Sequence, residues 1–103
     1  MQMDKEAFEA ALAGGQPLVV DFWAEWCMPC RMLAPVVEQL AQAYAGRITV
    51  AKINVDEEPE LAQQYGVQSI PCLLYFKNGQ PVGELVGVRP YEQLAAAADK
   101  LLA

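Results

Sequence analysis

Histidine is absent from this 103-residue chain. Its absence removes Ser-His and Cys-His catalysis, histidine metal sites and imidazole general bases together. Positive charge is scarce as well. Seven Lys and Arg stand against 13 Asp and Glu, for a net charge of −6. Such a chain is repelled by phosphate backbones, so nucleic-acid binding is not expected. Long apolar runs are missing too: CLLYF at 72–76 is far too short to cross a bilayer, and no membrane association is expected. The opening MQMDKEAF has charges at Asp4, Lys5 and Glu6 and no apolar stretch of the secretory kind. A soluble, cytoplasmic chain is the expectation. Cysteine is sparse and odd in number, at three, which argues against a stapled secreted framework.

What is present is a core. Apolar residues make up 54% of the chain and charged residues only 19%, which excludes the disordered class. The length fits one compact domain over residues 1–103.

Two periodicities alternate along it. Met3 and Phe8 bracket Asp4 as a hydrophobic staple brackets an N-cap, and Phe8, Ala11 and Leu12 form one helical face that Gly14-Gly15 ends. Leu18 to Phe22 reads as a strand covered on both faces. Pro29 to Tyr44 carries a helical stripe ending at Gly46, with Pro35 inside it as a source of a kink. Ile48 to Val55 reads as a second buried strand, and Pro59 opens a short helix to Tyr65. Cys72–Phe76 and Val82–Val88 flank Asn78-Gly79, a strong hairpin signal, and Pro90 opens a final helix.

The order α-β-α-β-α-β-β-α predicts an α/β three-layer sandwich: a central mixed sheet of four strands flanked by four helices. Strands separated by helices are expected to run parallel through right-handed crossovers, and the last two antiparallel. Chemistry in such sheets tends to sit where a strand's carboxyl end meets the next helix. Here that junction reads Trp23-Ala24-Glu25-Trp26-Cys27-Met28-Pro29-Cys30.

Cys27 falls at the predicted helix N-terminus and Cys30 about one turn in, close enough for a disulfide if Cys27 adopts a cap conformation. Unpaired N–H groups at a helix start favour an anion by up to ~2 kcal/mol when partly buried, which favours the Cys27 thiolate. A purely structural staple closing so short a loop would contribute only ~2 kcal/mol. Structural zinc would need four ligands, and beyond Cys72 the chain offers neither another cysteine nor a histidine. Cys-x-x-Cys beside a βαβ pattern points to redox chemistry, and no metal is expected.

The run VDFWAEWCMPC resembles the active-site segment of the thioredoxin family, usually WCGPC. The likeness continues through APVVEQLAQAY, AKINVDE, YGVQSIP and LLYFKNG to the final VG, nearly the whole chain in order. The resemblance implies a thioredoxin fold and a dithiol–disulfide oxidoreductase that reduces protein disulfides. It implies Cys27 as the exposed nucleophile and Cys30 as the buried resolving cysteine. It further implies a cis Ile70–Pro71 bond packed against the disulfide. No bound cofactor is implied. Electrons would come from a thioredoxin reductase, with NADPH as distant source, to disulfide-containing protein substrates, and a monomer is expected. An oxidant or isomerase on the same fold, or a docking module, are the competing readings.

Asp21 is a costly carboxylate inside the apolar LVVDF. In the implied fold it lies beneath Cys30 and near Lys52, where burial raises its pKa and Lys52 opposes the rise. It is expected to take the proton from Cys30 as that residue attacks, with a buried ion pair to Lys52 as the alternative. Trp26, Val55, Ile70, Pro71, Val86 and Gly87 correspond to the family's flat apolar rim, fit for an extended substrate segment. Trp23 is expected to pack beside the site, and Arg31 either sets a cation near the thiolate or is simply exposed. Between the cysteines, Met28 replaces the usual glycine before Pro29 and adds apolar bulk to that docking face. Ser69 stands where many members have glycine. The segment before Asp4 is very short, so the family's first edge strand is expected to be reduced or missing. Cys72, directly after Pro71, is expected to act as a small buried hydrophobe rather than a third redox thiol.

Overall fold

A computed structural model describes all residues, Met1–Ala103. Eight elements follow the expected order: α1 (Lys5–Gly14), β1 (Leu18–Trp23), α2 (Met28–Ala43), β2 (Thr49–Asn54), α3 (Pro59–Gln64), β3 (Cys72–Lys77), β4 (Gln80–Val86) and α4 (Tyr91–Leu102). The Asp4 carboxylate accepts the Ala7 N–H at 2.8 Å as N-cap of α1, and Gly15 closes that helix in the left-handed region. Helix α2 runs through Pro35, whose missing N–H leaves the Arg31 carbonyl without its helical partner. Asn78 and Gly79 both have positive φ, as a two-residue hairpin loop between right-twisted strands requires. The hairpin is tighter than the hydrophobic pattern suggested: β4 begins at Gln80 and ends at Val86, leaving Val88 outside it.

The four strands lie in the order β2-β1-β3-β4. β1 and β2 are parallel, with Asp21 opposite Lys52, and β3–β4 is antiparallel. The expectation that helix-separated strands run parallel fails at β3, which is antiparallel to β1, with Cys72 opposite Phe22. A parallel crossover needs a connection long enough to recross the sheet. The connection over residues 55–71 is long enough in residues, but its one helix, α3, covers six of them, about 9 Å, and the chain re-enters the sheet at the end it left. That return brings the Ile70–Pro71 loop to the carboxyl end of β1.

Alternation along β1 separates two cores. Val19 packs with Leu33, Val37 and Leu40 of α2 and with Leu94, Ala98 and Leu101 of α4. Leu18, Val20 and Phe22 pack with Phe8 of α1 and Leu61 of α3. The first edge strand is reduced to one parallel bridge between Gln2 and Lys52, in which the Met3 N–H donates to the Lys52 carbonyl and the Lys52 N–H to that of Met1.

Candidate active site

Cys27 is the N-cap of α2, in an extended conformation, with Pro29 in the first turn. Its sulfur accepts the backbone N–H of Cys30 at 3.3 Å, so a helix-start donor points directly at Sγ. Cys27 and Cys30 form a disulfide with their Cα atoms 5.3 Å apart. They pack with Ala24 in a small cluster that Trp23, Val55 and Ile70 cover. The expected contrast of an exposed Cys27 and a buried Cys30 is muted. The two residues are 4% and 2% exposed, because Ala24, Val55 and Ile70 close over the pair.

The Ile70–Pro71 bond is cis, and the Ile70 carbonyl oxygen lies 3.8 Å from Cys27 Sγ. Pro71 is buried and so forms the floor of the rim rather than part of its surface. Its carbonyl accepts the Gly87 N–H at 2.9 Å, which ties the end of β4 to the loop and sets Val86 and Gly87 beside it. Gly87 has φ 89°, a turn that a side chain would strain. Val55 is half-buried, and its N–H donates to the Trp23 carbonyl at 2.9 Å. Trp26 is 71% exposed and Met28 62%, so the apolar face continues outward from the cysteines; Pro29 is exposed beside them. Arg31 is exposed and lines a groove with Trp23 and Glu25.

Asp21 is fully buried. Strand alternation puts it on the α2 face of β1, between Val19, which packs on α2, and Trp23, which covers the cysteines. Burial pushes its carboxyl up to about 6 against the opposing pull of Lys52. Neither carboxylate oxygen has a hydrogen-bond partner, so the alternative of a buried ion pair with Lys52 is not realised. The Lys52 ammonium instead sits over the Trp23 ring, 4.4 Å from its centroid.

Several contacts carry little signal in the sequence. The Trp26 indole N–H donates to Asp56 at 2.8 Å, and Asn54 fixes that turn by accepting the Asp56 N–H at 2.8 Å. Asn54 in AKINVDE was the only available hint, as a side chain that favours turns. The buried Cys72 thiol donates to the Glu84 carboxylate across the β3–β4 ladder, at 3.6 Å. No cluster of three or more His, Cys, Asp or Glu side chains is placed to hold a metal ion, and no helix is long and apolar enough to cross a membrane.

A family model described as Thioredoxin matches residues 1–100. The chain is 53% identical over 96 residues to a thioredoxin of Alicyclobacillus acidocaldarius subsp. acidocaldarius, covering 93% of this chain and 91% of the relative. It is 54% identical over 86 residues to thioredoxin 1 of a Nostoc species, covering 84% and 80%. A thioredoxin of Staphylococcus aureus matches at 50% over 95 residues, covering 92% and 90%. With a redox-active cysteine pair at the head of α2 and relatives matched over nearly their full length, the chain belongs to the thioredoxin family and is a thiol–disulfide oxidoreductase.

Proposed function

We propose that the chain is a protein disulfide reductase. It takes electrons from a thioredoxin reductase, with NADPH as their source, and passes them to disulfide-containing proteins in the cytoplasm while working as a monomer. The observation that carries this reading is the Cys30 N–H aimed at Cys27 Sγ at the N-cap of α2, where a thiolate is stabilised.

The Cys27 thiolate attacks one sulfur of the substrate disulfide. That S–S bond breaks, a mixed disulfide forms and the first substrate thiolate leaves. Cys30 then gives its proton to Asp21 and attacks Cys27 Sγ, which breaks the mixed disulfide and expels the second substrate thiolate. The substrate has gained two electrons and the protein has become the Cys27–Cys30 disulfide. Asp21 suits this step because burial holds its carboxyl near 6, where it takes up and releases a proton near neutrality. Lys52, its register partner, tunes that carboxyl. The apolar surface of Trp26, Met28, Val55, Ile70 and Val86, with Pro29, Pro71 and Gly87, supports docking of an extended segment beside the cysteines.

A turnover assay with a disulfide-containing protein, NADPH and a bacterial thioredoxin reductase tests the reading. Sustained NADPH consumption is expected from the native chain and none from Cys27→Ser. No consumption by the native chain, with the reductase active on its own thioredoxin, would refute it.

A further inference from the structure

Lys52 has an unusual choice to make. Its backbone is pinned by the amino-terminal segment and its Cα lies opposite that of Asp21, so a long side chain can reach the carboxylate beside it. The carboxylate is buried and both its oxygens lack a partner. The ammonium nevertheless lies on the face of Trp23. We propose that Trp23, itself held by Gln2, is a positioning residue that keeps the Lys52 ammonium off the Asp21 carboxylate. This rests on the reading of Asp21 as the proton acceptor for Cys30.

Three observations converge on it. The Trp23 indole N–H donates to the Gln2 side-chain oxygen at 3.4 Å, which steadies the ring from its outer edge. Gln2 is held in turn by its bridge to Lys52, so one short segment orients both the ring and the cation that rests on it. Lys52 also lines a groove of about 400 Å³ between α2 and the β2 edge, with Met1, Arg31 and Glu38 among its walls. Lys52 is only partly buried, so an ammonium resting on the π face requires neither full desolvation nor a buried ion pair.

The consequence concerns the proton. A direct ion pair would favour the ionised carboxylate and make it a poor acceptor at neutral pH. Held on the ring, the cation tempers the effect of burial without cancelling it. Lys52 from β2 is the charged group acting on Asp21, Leu73 is its register partner on β3, and α2 brings the cysteine pair. From α4, Leu94, Ala98 and Leu101 reach that core, and all are apolar.

The test is a pH titration of the Asp21 carboxyl by carbon NMR in the oxidised protein. Trp23→Leu frees the cation and is expected to lower the Asp21 midpoint by about one pH unit, the low end for a cation moved next to a carboxylate. In a Lys52→Met background the same substitution is expected to cause no fall. An unchanged or raised midpoint in Trp23→Leu would overturn the proposal, as would an equal fall without Lys52, since water entry would then be the cause. Should Trp23→Leu fail to fold, Trp23→Phe and Gln2→Ala carry the test. Each keeps a ring but loses the Gln2 contact, and each is expected to lower the midpoint by a few tenths of a unit; no fall in either would overturn it. The pH profile of thiol exchange separates the two readings. A midpoint that moves while the profile does not supports the placement of Lys52 and refutes proton transfer by Asp21.

Discussion

Cys27 and Cys72 lie at the same end of the sheet and are both buried, yet their sulfurs meet opposite surroundings. Cys27 Sγ accepts an N–H at the start of a helix, where donors are in excess. Cys72 Sγ sits in a strand whose backbone groups are already paired, and its thiol donates to the Glu84 carboxylate. Donors favour a thiolate; an acceptor carrying negative charge favours a thiol. Burial first and Glu84 second push Cys72 up to about 12. Burial is the larger cause at Cys72, and the polarity of the groups around each sulfur is what separates two cysteines that are both buried. Burial alone does not decide reactivity.

The largest effect expected from breaking this contrast comes from the cysteine pair. Cys30→Ser leaves Cys27 able to attack but removes the resolving thiol, so a mixed disulfide with substrate through Cys27 should accumulate in mass spectra. Cys27→Ser should trap almost nothing. Equal trapping by both variants would reverse the roles assigned to them.

Asp21→Asn comes next. Loss of the proton acceptor is expected to slow resolution of the mixed disulfide by roughly 10²-fold, the low end for general base catalysis, near pH 7 in stopped-flow exchange. Stability should move the other way. The native carboxyl titrates at about 6 against 3.8 ordinarily, so between these values the folded state holds a proton that the unfolded state has released. Stability therefore falls as pH rises through that window, by at most about 3 kcal/mol. The amide variant lacks this dependence. Its advantage in denaturant midpoint should be small near pH 4 and grow toward pH 7; a constant difference across that range would mean Asp21 does not titrate as described.

Cys72→Thr tests the other side of the comparison. A residue of similar size on the α1–α3 face of β3 should leave disulfide reduction within about twofold, and change stability by about 1 kcal/mol, through its newly buried hydroxyl. A large loss of turnover would make Cys72 a participant in the chemistry.

How much of this was legible in the residues divides along the same line. The cysteine pair, its helix start and the Asp4 and Gly15 caps are local, and i to i+3 spacing with known cap chemistry reveals them. Asp21 was legible because a carboxylate in LVVDF breaks an otherwise apolar pattern. The rim residues Ile70, Val86 and Gly87 carry no such local mark, and only resemblance to a family singled them out. The direction of β3 was not legible. It depends on the shortness of α3, and pattern reading alone does not say whether a six-residue helix recrosses the sheet or turns back. Side-chain pairs distant in sequence left no trace either. Gln2 with Trp23, Lys52 over Trp23 and Cys72 with Glu84 depend on register, which appears only once the strands are paired.

The smallest effect sharpens the comparison most. Glu84→Gln removes the negative charge facing Cys72 while keeping a side chain of the same shape on the same strand. Both the charge and the accepted hydrogen bond hold the thiol protonated, so its pKa should fall from about 12 toward the ordinary value. Burial is the larger cause and is untouched, so the fall stays partial. Alkylation of Cys72 in the native, oxidised protein is then expected to rise only a few-fold, since reagent access is unchanged and the thiolate remains a minor species. Reduction of substrate by Cys27 and Cys30 should be unaffected. A jump to the rate of an exposed thiol would mean that Glu84 alone silences Cys72. No change at all would assign the whole effect to burial and make the carboxylate a bystander.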